Sequence, residues 1–313
     1  MSRIYGIAKM AYQAVKPIKE RCAAKAVCRY YKNSKDAQIR KAVSYVKKAG
    51  RIQTFNAPFA EAYKSCFYKI KKDPGSGLFF VNYRGRPMYF SRDYFTVKSC
   101  LKYMRSILAE QDPHSPHRYL TDGFAVDAGS VVVDAGVAEG NFSLDIVDRA
   151  SRLILVECNQ NWIEALKKTF AKEIATGKVE IVPKMLGGGK SGRKHTSIDA
   201  LYRKYGKLDF IKMDIEGGEA DALRGGRAWM RESTSAKLAV CAYHKPEAFA
   251  EITNMLEWMF EVTHTRGYMY FNPILRNEPP YFRRGLIRAV KKPMQDEASV
   301  GEVLEKEDGQ RQI

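Results

Sequence analysis

Downstream of about residue 120, short apolar runs alternate with stretches whose apolar residues recur at helical spacing. Val131–Asp134 reads as a strand and Asn141–Ala150 as a helix. Leu153–Glu157 is a second strand, followed by a helix over Trp162–Ala175. Val179–Val182 is a third strand, with a helix over Ile198–Tyr205. Phe210–Asp214 and Leu238–Tyr243 complete the strands, each leading into a helix, Glu219–Met230 and Pro246–Phe260. Strands this short and apolar, separated by helical segments, predict an α/β fold: a doubly wound, mainly parallel sheet covered by helices on both faces.

The first third follows a different pattern. Residues 1–72 read as helices, beginning with a basic amphipathic stretch in which Ile4, Ile7, Ala11, Ala14, Val15 and Ile18 share a face. Gly77–Phe90 reads as a β-hairpin turning at Arg84-Gly85, and residues 94–111 as a helix. A proline-punctuated connector, QDPHSPHRYL, follows. The expected organisation is a basic N-terminal region over 1–114, a catalytic-type domain over 115–292, and an acidic, polar tail over 293–313 that is expected to be disordered.

Charge sharpens that division. The chain of 313 residues carries a formal charge of +18, and 24 basic against five acidic residues fall within the first 108. Such a surface attracts polyanions, whether lipid headgroups, nucleic acid or phosphorylated carriers. The six cysteines are scattered without a C-x-x-C pair, which argues against a zinc site or a dense disulfide framework. No run of eighteen apolar residues is present. The expected location is cytoplasmic, peripheral to the inner face of a membrane if the basic third meets lipid.

The chemistry concentrates at strand ends. In a doubly wound sheet, ligands bind beyond the carboxyl ends of the strands, where strand order reverses. The first strand runs into Asp134-Ala-Gly136-Val-Ala-Glu139-Gly140-Asn141, and the second ends at Glu157, 21 residues after Gly136. A glycine turn lets backbone approach a ligand, and a carboxylate at the end of the next strand can accept both hydroxyls of a ribose. The ligand is thus a nucleoside-containing cofactor. The G-x-G-x-x-G dinucleotide pattern fails, because Ala138 stands where its second glycine belongs, and Asp134 and Glu139 would repel a diphosphate. The D-x-G-x-x-x-G turn with a later acid suits the sulfonium cofactor S-adenosylmethionine. GGGKSG, Gly187–Gly192, is not a P-loop, since Lys184 occupies the position of that motif's first glycine; it reads as a flexible loop.

LDFIKMDIEGGEADALRG, Leu208–Gly225, resembles the signature of the FkbM-type S-adenosylmethionine-dependent methyltransferases, with Asp214-x-Glu216-Gly217-x-Glu219 at its centre. DAGVAEGNFSL and VCAYHKPE, the latter containing His244, resemble further segments of that family. The likeness spans roughly residues 115–285. It implies a class I methyltransferase-like Rossmann fold and O-methylation of a hydroxyl on a sugar, glycan or natural product. Lys184, Met185 and Leu186 depart from the polar adenine contacts common among methyltransferases.

The candidate cofactor residues are therefore Asp134, Gly136, Glu139, Gly140, Asn141, Glu157, Asn159 and Asp214. The candidate catalytic residues are His244, Asp214 and Glu216: His244 or Asp214 as base, with Asp214 and Glu216 holding the reacting groups. Glu219 is the acid expected at the start of the next helix. No metal is assigned, because nothing in the spacing of these groups demands one. The expected partner is a small-molecule or glycan acceptor, with an anionic membrane surface or lipid-linked glycan beside it; nucleic acid is less favoured. The alternative is an RNA-binding protein or RNA ribose methyltransferase that uses the basic N-terminal region.

Overall fold

The computed structural model describes residues 18–189, 191–271 and 278–293. The start of the amphipathic stretch, the tail from 294 and part of the glycine-rich loop lie outside these residues. Seven strands form the central sheet: β1 (Val131–Ala135), β2 (Arg152–Val156), β3 (Val179–Val182), β4 (Phe210–Met213), β5 (Lys237–Cys241), β6 (Phe260–His264) and β7 (Leu286–Lys291). Their order is β6-β7-β5-β4-β1-β2-β3. β7 runs antiparallel to both β5 and β6, and the remaining pairings are parallel. The chain steps outward from β1 to β3 and then crosses back to β4, so the order reverses between β1 and β4. A ligand crevice opens at such a point.

The interior strands are apolar because helices cover both faces. Val132, Val133, Leu153, Ile154, Ile211, Leu238 and Val240 are fully buried. Lys212 breaks the pattern, as a buried lysine within a strand whose other residues are apolar.

The α/β, doubly wound class I methyltransferase-like fold expected from the sequence is the fold observed, with local differences. The helix expected over Glu219–Met230 is two helices, Glu219–Arg224 and Arg227–Glu232. The break falls at Gly225, where a Cβ would lie 2.6 Å from the Gly187 carbonyl oxygen, so the chain turns to let that loop pass. The helix expected over Pro246–Phe260 stops at Leu256, and Phe260 opens β6 instead. The helix expected over Trp162–Ala175 begins at Gln160, capped by the Asn159 side chain, and is interrupted at Phe170.

In the first third, residues 18–30 and Ala37–Ala49 are helical. The hairpin consists of Phe79–Tyr83 and Arg86–Tyr89, and the helix of Val97–Glu110 opens with a Thr96–Ser99 capping box. One apolar cluster joins both sides of the sequence boundary at 114: Val81, Met88, Phe90, Met104 and Ile107 pack with Val132, Leu153, Phe170 and Phe210. Arg86 crosses the same boundary to reach Glu173 at 2.5 Å and Asp148 at 2.6 Å. That packing brings Tyr103 and Glu110 of the Val97–Glu110 helix to the crevice.

Candidate active site

The turn after β1 is shaped by contact with β4. Gly136 has φ +70°, and a Cβ there would sit 1.9 Å from the Asp214 carbonyl oxygen. The glycine therefore serves the close approach of two strand ends first, and any ligand second. Ala138 also takes a positive φ of 49°, and Gly140 has φ +84° ahead of the Asn141–Ile146 helix. Asn141 is buried, its amide oxygen accepting from the Phe142 N–H at 2.6 Å.

Asp134 is fully buried and turned inward. Its carboxylate accepts from Ser143 Oγ at 2.7 Å and pairs with Lys212 Nζ at 3.0 Å. Lys212 Nζ also donates to the Gly136 carbonyl at 2.7 Å, so the ion pair braces the glycine turn from beneath. Burial pulls the Lys212 ammonium down, but the charges of Asp134 and Asp214 prevail and keep it protonated throughout the accessible range.

Glu157 stands at the end of β2, as the sequence implied. One carboxylate oxygen accepts the Ala138 N–H at 3.1 Å and the other the Asn159 N–H at 2.8 Å. The acid is thus clamped between the glycine turn and the next helix. Each oxygen keeps a lone pair available to a diol. Asn159 itself caps that helix, accepting from the Asn161 N–H at 2.9 Å.

Glu139 is buried beneath Tyr103, whose hydroxyl donates to it. Tyr94, Tyr103 and Trp162 form an aromatic group there, with ring centroids 4.5–5.7 Å apart. Burial pushes the Glu139 carboxyl up to about 7, against the opposing hydrogen bond from Tyr103. The carboxylate charge read from the sequence is therefore only partly present at neutral pH. A raised acid binds its proton more tightly when folded, so the linked stability is complete below the unfolded value and is lost as pH rises through about 7. Glu139→Gln cannot lose that proton. Its stability relative to the native protein is expected to rise between about pH 4.5 and pH 7 by on the order of 3 kcal/mol, measurable by urea denaturation across that window. A flat difference would mean that Glu139 is not buried as an acid.

Asp214, just past β4, is the hub. It accepts from the Tyr119 hydroxyl at 2.8 Å and the Tyr243 hydroxyl at 3.2 Å. His117 Nε2 and His244 Nε2 each approach it to 3.3 Å. Burial alone would push this carboxyl up. The hydrogen bond from His117 and the charges of His117, Lys212 and His244 hold it far below the ordinary carboxylate range.

His244 completes the cluster from the end of β5. Its Nδ1 lies 2.8 Å from Glu219, and its Nε2 lies 3.7 Å from Glu216. Burial pulls the imidazole down, but the Glu219 hydrogen bond and the neighbouring carboxylates raise it above its ordinary value. Glu219 is fully buried and also accepts the Ile215 N–H at 3.0 Å and the Gly217 N–H at 3.3 Å. It therefore ties the D-I-E-G-G turn to His244 and directs Nε2 toward Asp214. Glu216, at φ +56°, is largely exposed, with its carboxylate beside His244.

The structure thus brings Asp214, Glu216 and His244 together, with Gly136 against Asp214 and with Glu139 and Glu157 bracketing the turn. Reading the sequence missed Lys212, His117, Tyr119 and Tyr243. Two groups among the described residues could offer metal donors within 4.8 Å of one another: His117, Asp214 and Cys241, and Asp214, Glu219 and His244. In both, the histidine and carboxylate are already paired within the cluster, and burial drives the Cys241 thiol well up, away from the thiolate a metal needs.

The model of the methyltransferase FkbM domain matches residues 189–270. The segment holds the whole D-I-E-G-G-E turn and His244. The sheet order is that of a class I methyltransferase-like fold, and the segment from 189 to 270 is similar to the FkbM methyltransferase domain. The resemblance to the FkbM-type methyltransferases is thereby shown. A methyltransferase FkbM from Methylobacillus flagellatus is 18% identical with a TM-score of 0.43, the alignment covering 64% of this chain and 56% of that one. This chain therefore spans little more than half of that relative's length. A Streptococcus mutans protein solved in complex with SAH is 15% identical over 53% of this chain and 91% of its own, with a TM-score of 0.35. An rRNA methylase from Streptococcus thermophilus is 13% identical over 54% of this chain and 90% of its own, with a TM-score of 0.34. No curated protein matches the chain. No helix among the described residues is long and apolar enough to cross a membrane.

The residues fit S-adenosylmethionine. Glu157 offers a fixed carboxylate for a ribose diol at the end of β2. The glycine turn beside it lies between the carboxylates of Glu157 and Asp214, which suit the positive charge that the cofactor carries.

Proposed function

We propose that the protein is an S-adenosylmethionine-dependent O-methyltransferase whose acceptor is a hydroxyl of a sugar, glycan or natural product. The observation that carries the reading is the convergence of Asp214, His244, His117, Tyr119 and Tyr243 at the switch point, one strand from the Glu157 clamp. When bound, the cofactor supplies an electrophilic methyl group on sulfonium. Glu157 would hold the nucleoside end through its ribose hydroxyls, beside the turn from Val137 to Asn141 to which it is hydrogen-bonded.

At the other end, the chain's task is to orient a hydroxyl and remove its proton. His244 Nδ1 is fixed by Glu219, which leaves Nε2 as the atom that exchanges a proton. Asp214 and Glu216 face that nitrogen and stabilise its protonated state after it has taken the acceptor's proton. The same carboxylates make His244 a base only above its ordinary value. Turnover is expected to rise with pH through that raised value and to fall below it, and His244→Ala is expected to lose this limb with about 10²–10⁴ of kcat. A retained pH limb in His244→Ala would move the base elsewhere.

Calorimetry with S-adenosylhomocysteine tests cofactor use directly. Binding is expected in the native protein, and Glu157→Ala is expected to weaken it by about 1.5–3 kcal/mol, the scale of hydrogen bonds to a charged group. Binding of NADH with no response to S-adenosylhomocysteine would refute the reading.

A further inference from the structure

Against the outer side of the Val97–Glu110 helix lies a cavity of about 380 Å³ that the proposed chemistry leaves unused. That volume falls in the range of small-molecule sites, roughly 300–1,000 Å³. Four basic side chains line it, Arg51, Lys64, Lys102 and Arg105, against one carboxylate, Glu20. Lys64 is paired with Glu61 at 2.5 Å. Arg105 is half-buried and spends only its Nε, on the Cys66 carbonyl at 2.8 Å, which leaves the two terminal nitrogens of its fork. Among the described residues, the side chains of Arg51 and Lys102 make neither a salt bridge nor a hydrogen bond. A solvated basic face would spread such charges apart. Here two guanidinium forks and a lysine converge on one concavity.

We propose that this cavity binds the phosphate or diphosphate group of a phosphorylated acceptor, an inference that rests on the methyltransferase reading above and names its substrate class. Guanidinium groups meet phosphate oxygens in paired, charge-assisted hydrogen bonds, and a lysine adds a point charge. The Val97–Glu110 helix joins the cavity to the reaction site. Lys102, Arg105 and Ser106 face the cavity. One turn beyond Ser106 stands Glu110, accepting from its hydroxyl at 3.4 Å, and Glu110 lies in the electrostatic field of His117 and Asp214. Lys102 and Glu110 are eight residues apart, about 12 Å along the helix axis. A glycosyl phosphate or glycosyl diphosphate held by Lys102 and Arg105 would run its sugar along this helix in the direction of Glu110, the end that lies nearer the reaction site. The excess of positive charge in the first third of the sequence acquires a local purpose in this arrangement.

The test is calorimetric titration of inorganic pyrophosphate into the full chain, into Arg51→Gln, and into Lys102→Gln/Arg105→Gln, each sample also being titrated with S-adenosylhomocysteine. The expected result is saturable pyrophosphate binding in the native chain, weakened at least about tenfold in the double variant, with S-adenosylhomocysteine affinity unchanged in all three. Arg51→Gln changes an exposed residue, so its loss of pyrophosphate affinity cannot be assigned to misfolding. Absence of saturable pyrophosphate binding, or equal binding in the variants, overturns the proposal while leaving the cofactor reading intact. Loss of S-adenosylhomocysteine binding by the native chain would instead refute the reading beneath it. Flotation with vesicles of phosphatidylcholine and phosphatidic acid, against phosphatidylcholine alone, separates the two sources of the phosphate. Vesicle binding that falls in the same variants supports a lipid-borne acceptor, and pyrophosphate binding without vesicle binding supports a soluble one. An RNA oligonucleotide that binds and is lost in the variants, while pyrophosphate does not bind, overturns the small-phosphate assignment.

Discussion

Replacing Lys212 by methionine is expected to destabilise the protein by about 3–5 kcal/mol, the cost of leaving a buried carboxylate without its partner. Asp134 is fully buried, and Lys212 Nζ is its cationic neighbour at 3.0 Å. The same ammonium donates to the Gly136 carbonyl and lies 5.2 Å from the centre of the Tyr119 ring. Urea denaturation reads the loss. Adding Asp134→Asn in the Lys212→Met background removes the orphaned charge while keeping an acceptor for Ser143. The double variant is expected to recover much of the stability but not the cofactor affinity, because the brace beneath the turn is gone. A single variant within about 0.5 kcal/mol of the native protein, the scale of an ordinary surface change, would show that the pair is not buried as described.

Asp214→Asn is expected to reduce kcat by about 10²–10⁴, the range of a lost acid–base partner, with a smaller effect on stability. The amide keeps the shape and can still accept from Tyr119, but it carries no charge to hold His117 and His244 in their protonated forms. Both histidines titrate above their ordinary values in the native protein. A raised histidine stabilises the fold fully below its unfolded value and loses that stability as pH rises through the folded one. In Asp214→Asn, both should titrate lower, so the pH-dependent loss of stability seen above the ordinary histidine value should shrink. Histidine NMR titration reads this without an acceptor. Unchanged histidine titration would mean that Asp214 is not the hub. Turnover needs a substrate, for which a panel of glycosyl phosphates is the natural first set.

Much of this site was legible along the chain, for identifiable reasons. Gly136, Glu157 and Asp214 each end a strand whose apolar run stops abruptly at a glycine or an acid, and parallel topology places all such ends on one edge. Lys212 was legible in principle. It sits inside the F-I-K-M run, and an ionisable residue in a strand buried on both faces must have a partner. His117 and Tyr119 were not legible, because they reach Asp214 across about a hundred residues from a proline-punctuated connector without periodicity. β6 and β7 were also missed. Phe260 continues an apolar run from the preceding helix, and β7 pairs antiparallel at a sheet otherwise built from parallel units. Asp134 shows the opposite difficulty: its place in the glycine motif suggested a ligand contact, whereas its carboxylate faces inward to Lys212 and Ser143.

Hydrogen exchange with and without S-adenosylhomocysteine tests the central claim, that the cofactor lies between the β1 turn and the end of β2. The account predicts slowed exchange at the amides of residues 137–142 and 157–161 and little change in the hairpin of Phe79–Tyr83 and Arg86–Tyr89. Protection confined to other segments, with these two unchanged at saturating ligand, would contradict it.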